Sequence, residues 1–191
     1  MTGMAAHNRK STARDMFISM AVIMVPVLLI VWFFTQTTDH DPEAADIAGV
    51  LTRARAESPY PLLVAQGLGD DWTPVRVAFA KDGQPWITKD PAVGDSWQVG
   101  YLSPDGTYFG VQQRNDGGAR FIASVTRDGA PVGGEVDAAG RSWERFESSD
   151  GRTRSLVSET DNVTSIVTAD TDFLELEAFA ATLAQVELDQ G

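Results

Sequence analysis

Few kinds of residue in this 191-residue chain could carry out chemistry. The chain has no Cys, and its two histidines, His7 and His40, lie near the N-terminus. Thiolate nucleophiles, disulfides and thiolate metal sites are therefore excluded, and a Ser-His-Asp triad has no histidine available beyond residue 40. The sequence contains no G-x-S-x-G, P-loop or G-x-G-x-x-G pattern. It predicts no catalytic residue, no cofactor-binding residue and no metal ligand.

Carboxylates are abundant, but their spacing carries no pattern. Asp and Glu total 27 against 15 Lys and Arg, which gives a net charge of -12. With so many acidic residues, a pair at glycosidase spacing arises by chance, so a carboxylate-dependent hydrolase of envelope glycans remains only an alternative. The Asp-Gly pairs lack the alternating ligands and following Glu of a calcium loop. The negative charge also argues against a nucleic-acid partner.

Four tryptophans beyond residue 40 are the remaining candidates for a binding surface. Trp97 follows a strand alternation, and we expect Trp97 and Trp143 to lie in the core. Trp72 and Trp86 lie beside Pro and Gly in predicted loops, where an indole could stack on sugars or lipids. Trp72 and Trp86 are therefore the candidate surface-binding residues.

The strongest pattern in the chain is an apolar run from Met16 to Phe34. Its 19 residues include no charge, and at about 1.5 Å per residue such a helix spans roughly 28 Å, close to the hydrocarbon core of a bilayer. Pro26 is tolerable there because the freed carbonyl can be satisfied locally. A cleaved signal peptide is the competing interpretation, but the run is long for one and no A-x-A site follows it. The pattern predicts an uncleaved transmembrane helix over 16–34, in contact with the lipid bilayer.

Charges flanking the run predict its orientation. Basic residues precede it (Arg9, Lys10 and Arg14), whereas the residues that follow it are acidic. By the positive-inside rule, the N-terminus is expected in the cytoplasm and the rest of the chain outside the cell membrane, as a single-pass protein. The expected parts are a cytoplasmic tail (1–15), the transmembrane helix (16–34), a linker (35–41) and an extracytoplasmic domain (42–191).

The part after the linker combines helical and strand periodicities. Asp41-Pro42 is a typical helix start, and apolar residues at helical spacing predict a helix over 42–56. Alternating apolar residues predict antiparallel strands, among them 75–79, 97–101, 121–125 and 163–167. Asp172 as N-cap predicts a closing helix over 172–188. The expected fold class is α+β: an antiparallel sheet of six to eight strands, flanked by an N-terminal and a C-terminal helix and preceded by the transmembrane helix.

Five Asp-Gly pairs separate the predicted strands. They begin at Asp82, Asp105, Asp116, Asp128 and Asp150. Because glycine adopts a positive φ without strain, such pairs favour tight hairpin turns. Gly106, between two predicted strands, is expected in the left-handed conformation.

Several segments together resemble an uncharacterised family of single-pass membrane proteins of actinobacteria, classed as a domain of unknown function. The segments that carry the resemblance are Pro59-Tyr60-Pro61, Gly69 to Pro74, Trp97 to Gly106, Tyr108 to Gln113, Gly140 to Arg145 and Leu174 to Leu183. One departure is Gly69, where the family pattern has Pro between Leu and Trp. The resemblance implies the topology and the fold, and it assigns no activity or site.

The sequence favours a non-catalytic module: a membrane-anchored extracytoplasmic domain that binds an envelope protein, a wall polymer or a small ligand. An alternative is a single-pass accessory subunit of a membrane complex, recognised through its helix. The glycan hydrolase is the less favoured alternative. No nucleophile or acid–base pair stands out, which supports the non-catalytic module over the hydrolase.

Overall fold

A computed structural model of the protein describes residues 13–35 and 45–189. The chain divides into two units, Met1–Asp41 and Pro42–Gly191. In the first unit, helix α1 spans Ala13–Thr35 and includes the predicted run 16–34. The tail before residue 13 and the linker after residue 35 lie outside the described residues. Among those described, no helix is both long and apolar enough to cross a membrane.

The second unit is an α+β domain, as predicted. Its elements are α2 (Ile47–Glu57), β1 (Leu62–Ala65), β2 (Thr73–Ala80), β3 (Ser96–Leu102), β4 (Tyr108–Asn115), α3 (Gly118–Val125), β5 (Ala130–Ala138), β6 (Arg141–Glu147), β7 (Arg154–Thr160), β8 (Val163–Ala169), α4 (Phe173–Ala181) and β9 (Leu183–Val186). Seven strands form one antiparallel sheet in the order β2-β3-β4-β8-β7-β6-β5, and β1 pairs with β9 in a second, two-stranded sheet. The predicted strands 75–79, 97–101 and 163–167 are confirmed within β2, β3 and β8.

The seven-stranded sheet has two different faces. On the inner face, alternate residues of its strands form the main core together with α2, α4, β1 and β9. Trp97 and Trp143 lie in this core with 0% exposure, which confirms their prediction. The outer face carries a smaller cluster, in which Phe121 of α3 packs against Val157 and Ile166. Because side chains alternate along each strand, every residue directed to one face has neighbours directed to the other.

Strand β1 is held by side chains as well as by its partner strand. The Gln113 side-chain oxygen accepts a hydrogen bond from the Leu63 N–H at 2.6 Å, and the Trp97 indole N–H donates to the Leu63 carbonyl at 3.0 Å. The Tyr101 hydroxyl accepts from the Ala65 N–H at 3.2 Å. We call Trp97, Tyr101 and Gln113 the β1 clamp. Since buried backbone groups need partners, the clamp joins the two sheets.

The predicted strand over 121–125 is wrong, because these residues belong to helix α3. Phe121, Ile122 and Val125 all contact the small outer-face cluster, and their spacing also fits one side of a short helix. A five-residue apolar run does not distinguish the two periods. Gly118, with φ of +53°, provides the backbone turn at the start of the helix.

The predicted closing helix over 172–188 is too long. Asp172 is its N-cap, as expected, and accepts from the Glu175 N–H at 3.0 Å, but α4 ends at Ala181. The chain then forms β9, which pairs antiparallel with β1. Pairing with the backbone of β1 therefore determines the structure of residues 183–186, although their apolar residues have helical spacing. Tertiary context overrides local preference here.

The first helix of the domain starts later than predicted. It begins at Ile47 rather than residue 42, and Asp46 is its N-cap, accepting from the Gly49 N–H at 3.2 Å. The Asp41-Pro42 start lies outside the described residues. The helix ends at Glu57, within one residue of the prediction, before Ser58-Pro59.

Two of the Asp-Gly pairs close hairpins, as predicted. Gly106 has φ of +85° between β3 and β4, and Gly151 has φ of +68° between β6 and β7. In both turns a serine hydroxyl donates to the aspartate: Ser103 to Asp105, and Ser148 to Asp150 at 2.6 Å. These hydrogen bonds lower the pKa of both aspartates. The turns fix the β3–β4 and β6–β7 registers.

We expect Gln113→Leu to lower the free energy of unfolding by about 1–3 kcal/mol, because it leaves the buried Leu63 N–H without a partner and removes the hydrogen bond to the Pro61 carbonyl. Gln112→Leu, one residue along on the outer face, is the matched control and should change it by about 0.5 kcal/mol or less. Urea unfolding followed by tryptophan fluorescence measures both. Equal losses for the two variants would contradict the clamp.

The clamp also predicts sensitivity to alkali. Burial raises the pKa of Tyr101 from 10.0 to about 12. Because the folded value lies above the unfolded one, the stabilisation is complete below pH 10 and is lost as the pH rises towards about 12. Tyr101→Phe should reduce the loss of stability between about pH 9 and 12 by about 1–3 kcal/mol. Tyr108→Phe, at the surface, is the control, and a Tyr101 variant that keeps the full alkaline loss would contradict this account.

Candidate functional site

The outer face of the large sheet carries an open groove of about 1130 Å³. Its floor comes from β3 and β4, which lie next to each other in the sheet. Helix α3 forms one wall, and residues 81–95, which we call the arm, contribute to the other. Ligand sites are commonly concave surfaces with a few convergent polar groups. We call this surface the outer-face groove and treat it as the candidate site.

An aromatic ring lies on two glycines in the floor of the outer-face groove. Gly100 and Gly110 are opposite each other on β3 and β4. A β-carbon at Gly100 would lie 2.5 and 2.6 Å from two ring carbons of Tyr108, and one at Gly110 would lie 3.1 Å from a third. A side chain at Gly100 would therefore displace the ring, and one at Gly110 would contact it closely. Tyr108 is 36% exposed, so part of its ring is available to a ligand.

Two side-chain amides lie beside this ring. Gln98 and Gln112 are cross-strand neighbours and both line the outer-face groove. Within the described part of the chain, neither amide group forms a hydrogen bond with another residue. Gln98 is only 7% exposed. Both amides therefore keep their donors and acceptors available to water or a ligand.

Four arginines line the outer-face groove: Arg76, Arg114, Arg120 and Arg127. The Arg114 Nε–H donates to the Ser96 hydroxyl at 3.0 Å, and its guanidinium carbon lies 4.4 Å from the centre of the Phe121 ring. Burial lowers the pKa of Arg114 from its ordinary value, but arginine keeps its charge at neutral pH. In a chain of net charge -12, this is a local concentration of positive charge.

Both carboxylates that line the groove have polar partners. Asp170 lies 3.5 Å from the Arg127 guanidinium and accepts from the Thr153 hydroxyl at 2.5 Å. Asp116 accepts from the Asn162 amide at 3.1 Å. Among the described residues, no three His, Asp or Glu side chains gather as a metal site would require. The groove chemistry in the described region is therefore that of guanidinium, amide, hydroxyl and aromatic groups.

The two tryptophans predicted from sequence lie at different places. Trp86 is half-buried in the arm and lines the outer-face groove, and its backbone N–H donates to the Asp90 carbonyl at 2.9 Å. Trp72 lies on the inner side, with its ring 5.2 Å from Phe109 and 5.7 Å from Phe179, and lines a separate pocket of about 450 Å³. The structure does not bring Trp72 and Trp86 together.

Sequence reasoning missed most of the outer-face groove. Gln98, Gly100, Gly110 and Gln112 are the polar or small residues that alternate with apolar ones along β3 and β4. The pattern Q-x-G followed by G-x-Q-x-R marks one strand face that is not apolar. That signal is visible in the sequence, but it shows a non-core face rather than a groove.

The site and fold thus define an α+β domain with an open, cationic and aromatic groove on one face of its sheet. The chain belongs to the family described as "Protein of unknown function (DUF4245)", whose model matches residues 9–183. This confirms the resemblance to a domain of unknown function. No curated protein and no solved structure matches the chain.

Proposed function

We propose that this protein is a membrane-anchored extracytoplasmic binding module whose ligand binds in the outer-face groove. The observation that carries the binding role is the pair of groove amides, Gln98 and Gln112, which form no hydrogen bond with the other described residues. Such groups retain their hydrogen-bonding capacity for a ligand. The proposed localisation is the cell membrane, with a cytoplasmic N-terminus and the domain 42–191 outside.

The anchoring role rests on residues 16–34. This run has no charge and is flanked by basic residues before it and acidic residues after it. The large apolar side chains of α1 from Phe17 to Trp32 are between 45% and 68% exposed. Apolar surface on this scale is typical of contact with lipid or another protein. We propose the lipid bilayer as its environment.

Single cysteines test this topology directly, because the chain has none of its own. In cells that express the full-length chain, Val93→Cys should react with a membrane-impermeant maleimide added outside. Ala6→Cys should react only after the cells are permeabilised. Labelling of Ala6→Cys in intact cells would contradict the orientation, and a mature chain beginning near residue 36 would show a cleaved signal peptide instead.

The binding role is tested by photo-crosslinking from the groove wall. We expect a benzoylphenylalanine at Val93, which is 64% exposed beside the groove, to give higher-mass adducts in intact cells. The same probe at Leu174, 77% exposed on α4, is the matched control and should give none. No adduct at Val93, or the same adducts from both positions, would contradict groove binding. Shared protein adducts would favour the accessory-subunit alternative.

A further inference from the structure

We propose that the outer-face groove binds an anionic sugar, namely a sugar ring that carries a carboxylate or phosphate, as a unit of an acidic envelope glycan. This inference rests on the proposed function and names its ligand class. Three kinds of groove group carry it. Among the described residues, these are guanidinium groups that form no salt bridge, an aromatic ring packed on two glycines, and side-chain amides that form no hydrogen bond.

The charge of the groove selects for an anion. Of the four groove arginines, only Arg127 has an acidic partner; among the described residues, Arg76, Arg114 and Arg120 take part in no salt bridge. Guanidinium groups bind carboxylate and phosphate through paired N–H donors. Because the chain as a whole is negatively charged, the arginine-lined groove is the part of the described surface that we expect to attract an anion.

The floor of the groove fits a ring with one apolar face. Tyr108 lies over Gly100 and Gly110, and this close approach holds the aromatic ring against the sheet. A sugar ring presents C–H groups on one face and hydroxyls at its edge, and aromatic rings bury such apolar area at low entropic cost. Trp86 lines the same groove from the arm. The aromatic groups therefore favour a ring over an extended, flexible anion.

The amides fit hydroxyl groups. A side-chain amide both donates and accepts hydrogen bonds, as a hydroxyl does. Gln98 and Gln112 lie on adjacent strands at paired positions, beside the aromatic ring. A ligand hydroxyl can replace water at the Gln98 amide and reproduce its hydrogen bonds.

Binding of defined probes to the full-length chain in detergent micelles tests the proposal by calorimetry. The probes are tetragalacturonate for carboxylate, N-acetylglucosamine 1-phosphate for phosphate, uncharged maltotetraose and an eight-nucleotide oligothymidylate. We expect at least one anionic sugar to bind roughly tenfold or more tightly than maltotetraose, and to weaken as salt rises from about 50 to 300 mM. The two anionic arms distinguish a carboxylated from a phosphorylated glycan.

Variants locate the binding. Arg120→Gln and Tyr108→Ala should each weaken the anionic sugar about tenfold. Gly100→Ala should do the same by displacing the Tyr108 ring. The controls are Arg152→Gln, an exposed arginine outside the groove lining, and Gly69→Ala, whose β-carbon meets nothing within 4 Å. Both controls should bind as the wild type does, and their circular dichroism spectra with those of the groove variants establish that folding is retained.

Three outcomes would overturn the sugar assignment. These are no binding of either anionic sugar, equal or tighter binding of maltotetraose or oligothymidylate, and anionic-sugar binding that the groove variants leave unchanged. The crosslinking result at Val93 separates this failure from failure of the proposed function. Adducts at Val93 without sugar binding would leave the groove as a site for another ligand. The absence of both adducts and sugar binding would reject both proposals.

Discussion

The structure depends on how the backbone of β1 is satisfied. This short strand has β9 on one side, while Trp97, Tyr101 and Gln113 reach it from the large sheet. A buried strand with unpaired backbone groups would be costly, so these three side chains fix the position of the small sheet against the inner face. Because side chains alternate between the two faces of a strand, holding these three on the inner face also fixes which residues of β3 and β4 face outwards.

The same constraint determines which residue types lie on the outer face. With the inner positions committed to the core and the clamp, the intervening residues are polar or glycine, and α3 covers only part of the sheet. The uncovered part holds the Gln98 and Gln112 amides and the Tyr108 ring. On the same two strands, the inner side chains hold the core while the outer ones remain accessible, which gives a rigid support for a binding surface.

Local pattern predicted the α+β class, three of the four named strands, the Gly106 turn and the core positions of Trp97 and Trp143. It failed at 121–125, where a short apolar run fits a helix and a strand equally well. It also missed β9, because its pairing with β1 joins segments more than 100 residues apart. The β1 clamp and the outer-face groove depend on such long-range neighbours, which no local period reveals. Trp86, which was predicted from the local signal of its loop composition, lines the groove.

The central claim is that neighbouring residues of one strand have opposite roles, one structural and one available to ligand. Exchange of side-chain amide protons with water, measured by NMR on the full-length chain, tests it at adjacent positions. The account predicts that the side-chain amide protons of Gln113, a buried residue whose amide donates to the Pro61 carbonyl and the Ser165 hydroxyl, exchange about a hundredfold or more slowly than those of Gln112. Equal exchange rates for Gln112 and Gln113 would contradict it.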